Sequence, residues 1–224
     1  MSEWWTREPT RPIRVTGGIR ARSTRGSIGS SWWSRRFITV LESFALGTRL
    51  TRGRAYARAG QVLSLEIGAG LVQATVQGSR PQPYRVRIGL PPFAPDTWRR
   101  LETELAAQAV HSAALLAGEV PPELEEAVAR CGATLFPAEL AELDLHCSCP
   151  DPVVPCKHLA ATFYLLAESF DSDPFGILRW RGRERTDLLT RLRELRAIDG
   201  DTDGATPGAA PGATPGATPR RTRR

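Results

Sequence analysis

Apolar positions recur along the chain in two rhythms. Over residues 31 to 47, Trp33, Phe37, Val40, Leu41 and Phe44 follow the i, i+4, i+7, i+8 spacing of one helical face. Ser30 or Ser31 offers an N-cap and Gly47 a stop. Between residues 53 and 90 the rhythm changes to alternation. Residues 62 to 67, 71 to 76 and 84 to 88 are short alternating runs, separated by Gly68-Ala69-Gly70 and Gly78-Ser79-Arg80-Pro81. That pattern predicts a three-stranded antiparallel meander, closed by Pro91-Pro92. Leu63, Leu65 and Ile67 then share one face, as do Tyr84, Val86 and Ile88.

Helical spacing returns over residues 96 to 118, with Trp98, Leu101, Leu105 and Val110 on one stripe and Asp96 or Thr97 as the cap. A shorter helix opens at Pro121-Pro122, runs through Arg130 and ends at Gly132. Residues 143 to 147 alternate like a strand and are expected to join the sheet. Residues 159 to 167 read as an apolar helix, which Asp173-Pro174-Phe175-Gly176 breaks. In a last helix, residues 183 to 198, Leu188, Leu189, Leu192, Leu195 and Ile198 form the apolar side. Arg181, Arg183, Arg185, Arg191, Arg193 and Arg196 dominate its polar residues. Together these elements predict one α+β domain over residues 31 to 199, a small antiparallel sheet with packed helices.

The flanks differ. Residues 1 to 30 carry Arg7, Arg11, Arg14, Arg20, Arg22 and Arg25 among Gly, Ser, Thr and Pro, without apolar periodicity. They read as a disordered basic arm. From Gly200 the chain becomes an Ala-Thr-Pro-Gly repeat with a basic end, and residues 200 to 224 are expected to be a disordered tail. A length of 224 residues suits one domain of ordinary size. No run of about 18 apolar residues occurs, so no membrane-spanning helix is expected. The N-terminus lacks the apolar core of a secretory signal, and cytoplasm is the expected location. A net charge of +6 permits an anionic partner. One Lys stands against 29 Arg, a bias that reflects genome composition as much as function.

The candidate chemistry is concentrated in one stretch. Residues 146 to 158 hold three of the four cysteines and two of the three histidines, in the pattern C-x-C-x6-C-x-H. Cys147, Cys149, Cys156 and His158 are ligand types that suit a tetrahedral Zn²⁺ of the Cys3His kind. Cys147 and Cys149, two apart in an extended chain, point the same way. Pro155 favours an extended Val154 and a chain turning into a helix near Cys156. Cys156 then lies at the helix mouth and His158 in its first turn. His146 is the substitute ligand nearest to hand, but on a strand it points opposite to Cys147. Ordinary buried cysteines have no reason to gather with histidine. A catalytic zinc keeps one coordination position open, whereas here four protein ligands are supplied. His111 and Cys131, isolated within helical patterns, read as structural.

Cys147-x-Cys149-Pro150, then Cys156-Lys157-His158 running into an apolar helix, resembles the SWIM zinc finger. The close resemblance covers residues 145 to 170. A looser one extends over residues 30 to 199, to small bacterial SWIM zinc-finger proteins associated with SNF2-type helicases. It implies a β-β-α finger that works in DNA binding or protein–protein contact, with an SNF2-type helicase as partner.

Charge refines the partner expectation. Arg54, Arg58, Arg80, Arg85 and Arg87 stand against Glu66 in residues 53 to 90, making that segment a candidate nucleic-acid platform. The neighbourhood of the finger is acidic by contrast, and three zinc-bound thiolates would add to that. Phosphate-loop, nucleophile-elbow and H-E-x-x-H patterns do not occur, and no small-molecule substrate is evident. The expected protein is therefore non-enzymatic: a zinc-finger module that binds DNA, or alternatively a protein-binding adaptor with a purely structural zinc.

Overall fold

The computed structural model describes residues 11–44 and 47–203, with side chains through residue 198. Among the described residues, eight α-helices and four strands follow in the order α1 (Trp32–Ser43), α2 (Thr48–Ala59), β1 (Val62–Gly68), β2 (Leu71–Val76), β3 (Tyr84–Gly89), α3 (Pro95–Ala107), α4 (Ala109–Ala117), α5 (Leu124–Arg130), β4 (Asp144–Cys147), α6 (Lys157–Ser172), α7 (Gly176–Trp180) and α8 (Arg185–Asp203). The architecture is α+β: one antiparallel sheet of order β1-β2-β3-β4 with helices packed against it. The meander is present, and β4 adds to it by pairing with β3.

α6 is the axis of the domain. Every residue from His158 to Glu168 is buried, and Phe170 too. A helix apolar on all sides has to be enclosed, and α1, α2 and the sheet all pack on it. Phe37 of α1 meets the edges of Phe163, Phe170 and Trp180, at centroid distances of 6.3, 5.6 and 6.0 Å. α1 starts at the expected cap, Ser31, whose hydroxyl accepts the Ser34 N–H.

Several expectations are corrected. α2 has no counterpart in the sequence reading, because it carries no apolar stripe; its buried residues are Gly53, Tyr56 and Ala57. In β1, Val62 pairs with Val76 and Ser64 with Thr75, so Leu63 is an extra residue in a β-bulge. The bulge switches the phase of the strand. Val62 joins Leu65 and Ile67 on the core, and Leu63 leaves the expected face.

The helix expected over residues 96 to 118 breaks at Gln108, where the backbone is extended. The break resets the helical phase. α4 buries His111, Ser112 and Leu115, while Val110 is 78% exposed. Arg181 belongs to the turn after α7 and is buried rather than solvated on the last helix. Ile198 is exposed, and α8 continues to Asp203, past the expected end of the domain at 199.

The basic arm is also corrected, for residues 11–30. They lie along the domain as a strap. Ile13 N–H donates to Gly78 O (2.9 Å), Ile19 N–H to Val62 O (2.7 Å) and Ala21 N–H to Ala57 O (3.1 Å). Arg22 N–H donates to both carboxylate oxygens of the buried Glu168 (2.9 and 3.0 Å), and Ile28 is buried. The chain holds this segment through main-chain groups, which leave no apolar period to read. Residues 1–10 and 204–224, the rest of the expected arm and tail, lie outside the described residues.

Candidate metal centre

Two elements bring the four ligands together. β4 continues into the C-x-C turn, and that turn is fastened to β3. Ser148 N–H donates to Arg85 O (3.0 Å), and Ser148 Oγ accepts the Arg85 N–H (2.9 Å). Cys147 and Cys149 flank Ser148 and are half-buried, while Ser148 and His146 face solvent. The strand alternation thus sorts His146 away from the ligands, and it pairs with Arg87 across the sheet. On the other side, Cys156 is the N-cap residue of α6, with extended backbone, and His158 lies in the first turn. Both are buried.

Cys147, Cys149, Cys156 and His158 form a compact group that can hold a metal ion, with the four ligand atoms within 4.8 Å of one another. His158 Nδ1 lies 3.6 Å from Cys156 Sγ and 3.8 Å from Cys147 Sγ. A tetrahedral ion with metal–sulfur distances of about 2.3 Å and metal–nitrogen distances of about 2.0 Å separates such atoms by about 3.6 Å. The donor set fits. Cys131 and His111 are both buried elsewhere and are not members of the group.

The thiols polarise one another. Cys149 is held far below the usual thiol range by hydrogen bonds from Cys147 and Cys156. Cys147 is pushed far above it by donating to Cys149, and burial adds to that rise. A cation bound here would take the place of the shared protons.

The floor of the site was not legible in the sequence. The His158 ring sits against Tyr84, centroids 4.6 Å apart, and edge-on to Tyr56 at 5.5 Å. Burial pushes the Tyr56 hydroxyl up to about 12. His158 Nε2 is buried without a hydrogen-bond partner. It lies over Gly78, where a Cβ would stand 3.1 Å from Nε2 and 2.3 Å from Tyr84 Cε2. From the sequence Gly78 is only a turn residue between two strands. β4, which leads into the C-x-C turn, pairs with β3 although α3, α4 and α5 lie between them in sequence.

The candidate arginines divide. Arg54 and Arg58 are on α2 and face inward, a correction to their expected place on the sheet. Arg54 donates to Glu42 and to Tyr164 Oη, both at 3.0 Å. Arg58 donates to the strap carbonyls of Ser23 (3.0 Å) and Gly26 (2.5 Å). Arg80, in the β2–β3 turn, and Arg85 and Arg87, on the open face of β3, are exposed. Among the described residues these three make no ion pair. Glu168 and Asp171, acids of the finger neighbourhood in sequence, bind the strap.

An uncharacterized protein of Mycobacterium tuberculosis, Rv2102, is 60% identical to the chain over 197 residues, covering 88% of the chain and 71% of that relative. Neither a protein-family model nor a solved structure matches the chain.

Proposed function

The chain belongs to the family of the mycobacterial protein Rv2102, and on that footing we propose that it is a non-enzymatic, zinc-binding protein of SWIM type. Its Cys3His group holds a structural Zn²⁺, and the domain serves as an accessory module that binds DNA alongside an SNF2-type helicase. The observation that carries the zinc reading is the spacing of the ligand atoms, with Nδ1 to sulfur distances of 3.6 and 3.8 Å. Four protein ligands fill a tetrahedral shell, which suits a structural ion and leaves no position for a reacting water. The free thiols suit a reducing compartment, the cytoplasm. The SWIM-like spacing supports the helicase partnership, and the unpaired Arg85 and Arg87 support DNA. No helix among the described residues is long and apolar enough to cross a membrane.

Metal analysis of the purified protein tests the zinc reading. About one Zn²⁺ per chain is expected, with loss of metal and of folding stability in Cys149→Ser. A folded, metal-free wild type refutes it.

A second reading is a protein-binding adaptor. Val153 and Val154, in the loop between Cys149 and Cys156, are 43% and 50% exposed and offer an apolar contact. Partner capture that depends on these valines, with no DNA shift at low salt, would favour it.

A further inference from the structure

The sheet is covered by α6 on one side, and among the described residues its other side is exposed. Register fixes what that open side displays. One row crosses all four strands as Glu66, Gln73, Arg87 and His146, and the next runs Ser64, Thr75 and Arg85, reaching Ser148 through the paired hydrogen bonds. Arg85, Arg87, His146 and Ser148 form the corner nearest the metal centre, and all four are exposed. The acids stand at the margins. Glu66 is on the edge strand β1, two strands away from Arg87, and Asp144 lies at the far end of β4, opposite Gly89.

Seven arginines elsewhere among the described residues, Arg36, Arg54, Arg99, Arg130, Arg179, Arg183 and Arg191, pair with carboxylates. Arg85 and Arg87 have none, although a residue of either sign could have stood opposite them. Two residues apart on a strand, they are rooted about 6.7 Å from each other on a flat surface. Hydroxyl, amide and imidazole donors surround them.

Resting on the proposed DNA-binding reading, we propose that this corner of the open sheet face is where the sugar-phosphate backbone of duplex DNA docks. Arg85 and Arg87 take adjacent phosphates, and His146, Gln73 and Thr75 supply hydrogen bonds beside them. The metal centre acts from behind. It fixes the C-x-C turn, and through Ser148 that turn holds the main chain of Arg85. The four metal-site residues thus set the edge of the surface without touching the DNA. Such contacts carry no sequence code, so binding is insensitive to sequence and steep in salt.

The test is a titration of mixed-sequence duplex DNA at several salt concentrations. It uses the full chain, with zinc content and melting temperature as folding checks. The variant R85A/R87A should keep its metal, bind roughly tenfold more weakly at low salt, and lose about 2 from the slope of log affinity against log salt. R193A/R196A removes the same charge from exposed positions on α8 and should change little. Glu66→Gln, on the same face, should strengthen binding. If R193A/R196A weakens binding as much as R85A/R87A does, only bulk charge acts and the docking face is overturned. If the wild type binds and R85A/R87A binds equally well, the DNA reading stands and this surface is wrong. If the wild type binds no DNA even at low salt, the DNA-binding reading itself falls.

Discussion

Gly53 of α2 rests directly on Ala160 of α6. A Cβ on Gly53 would stand 2.4 Å from Ala160 Cβ, 2.8 Å from Ala160 C and 2.9 Å from Ala161 N. This is how a helix with little apolar surface docks: backbone against backbone, with Arg54 and Arg58 tying down its flanks. In an exposed helix Gly53→Ala would gain about 1 kcal/mol from helix propensity. Here the overlap should reverse the sign, with a net destabilisation of about 1–3 kcal/mol in denaturant unfolding. Adding Ala160→Gly should recover only part of it, because two of the three contacts are with backbone.

Gly78 is the corresponding close approach at the metal centre, and its constraint is space. Gly78→Ala would push on Tyr84 Cε2 and on His158 Nε2 together. Neither ring has a free direction to move, since both are buried. Displacing the ring of a ligand by a few tenths of an ångström should weaken metal binding by about 10–100-fold. Competition with a chromophoric chelator measures this. An unchanged affinity would show that His158 is not a ligand.

The Cys3His group was legible because its four residues lie within twelve positions, and strand alternation and Pro155 fix where they point. β4 was legible from alternation alone. α2 was not, because a helix docked through Gly53 leaves no stripe in Thr48–Ala59. The break at Gln108 had one sign in the sequence: Val110 stands about 140° around an ideal helix from Leu105, so an unbroken helix does not put both on one stripe, and the backbone between them is extended. The strap was hidden because main-chain donors hold it, and these look the same in every sequence.

Arg181 shows the same limit in a single residue. Its guanidinium donates to the carbonyls of Leu135 (3.0 Å), Pro91 (3.0 Å) and Thr134 (2.7 Å) and stacks on Phe93. Burial lowers its pKa to about 10. Three loop carbonyls depend on one planar fork, which an ammonium group cannot reproduce. Arg181→Lys should therefore destabilise markedly, and Arg181→Met by more than about 3 kcal/mol. Equilibrium unfolding checks both, and a near-neutral Arg181→Lys would show that water replaces the fork.

Cys131 and His111 provide the internal control for the metal assignment. Burial raises the Cys131 thiol pKa, which keeps it protonated and inert. Cys131→Ala and His111→Ala should leave the metal content at the wild-type level. Loss of metal from either would place a ligand outside the Cys147–His158 group.

Asp171 links the strap to α6 by charge. Its carboxylate accepts the N–H groups of Ser30 (2.8 Å) and Ser31 (3.0 Å) and the Ser31 hydroxyl (2.5 Å). Burial works against the charged form. Hydrogen bonds from the Ser31 and Ser34 side chains and from the main chain of Ser30 and Ser31 outweigh it, and the pKa falls to about 2. The folded state therefore binds this proton more weakly than the unfolded chain, whose Asp titrates near 3.9. The stabilisation is fully present above about pH 4 and is lost as pH falls through about 2. Asp171→Asn removes the charge but keeps an acceptor. It should be less stable than wild type at pH 5 to 7, and the gap between the two should close toward pH 2. Acid also releases metal from a Cys3His group, but it does so in both proteins, so the difference between them isolates the carboxylate. A gap that stays constant down to pH 2 would show that the strap is held by shape rather than by the Asp171 charge.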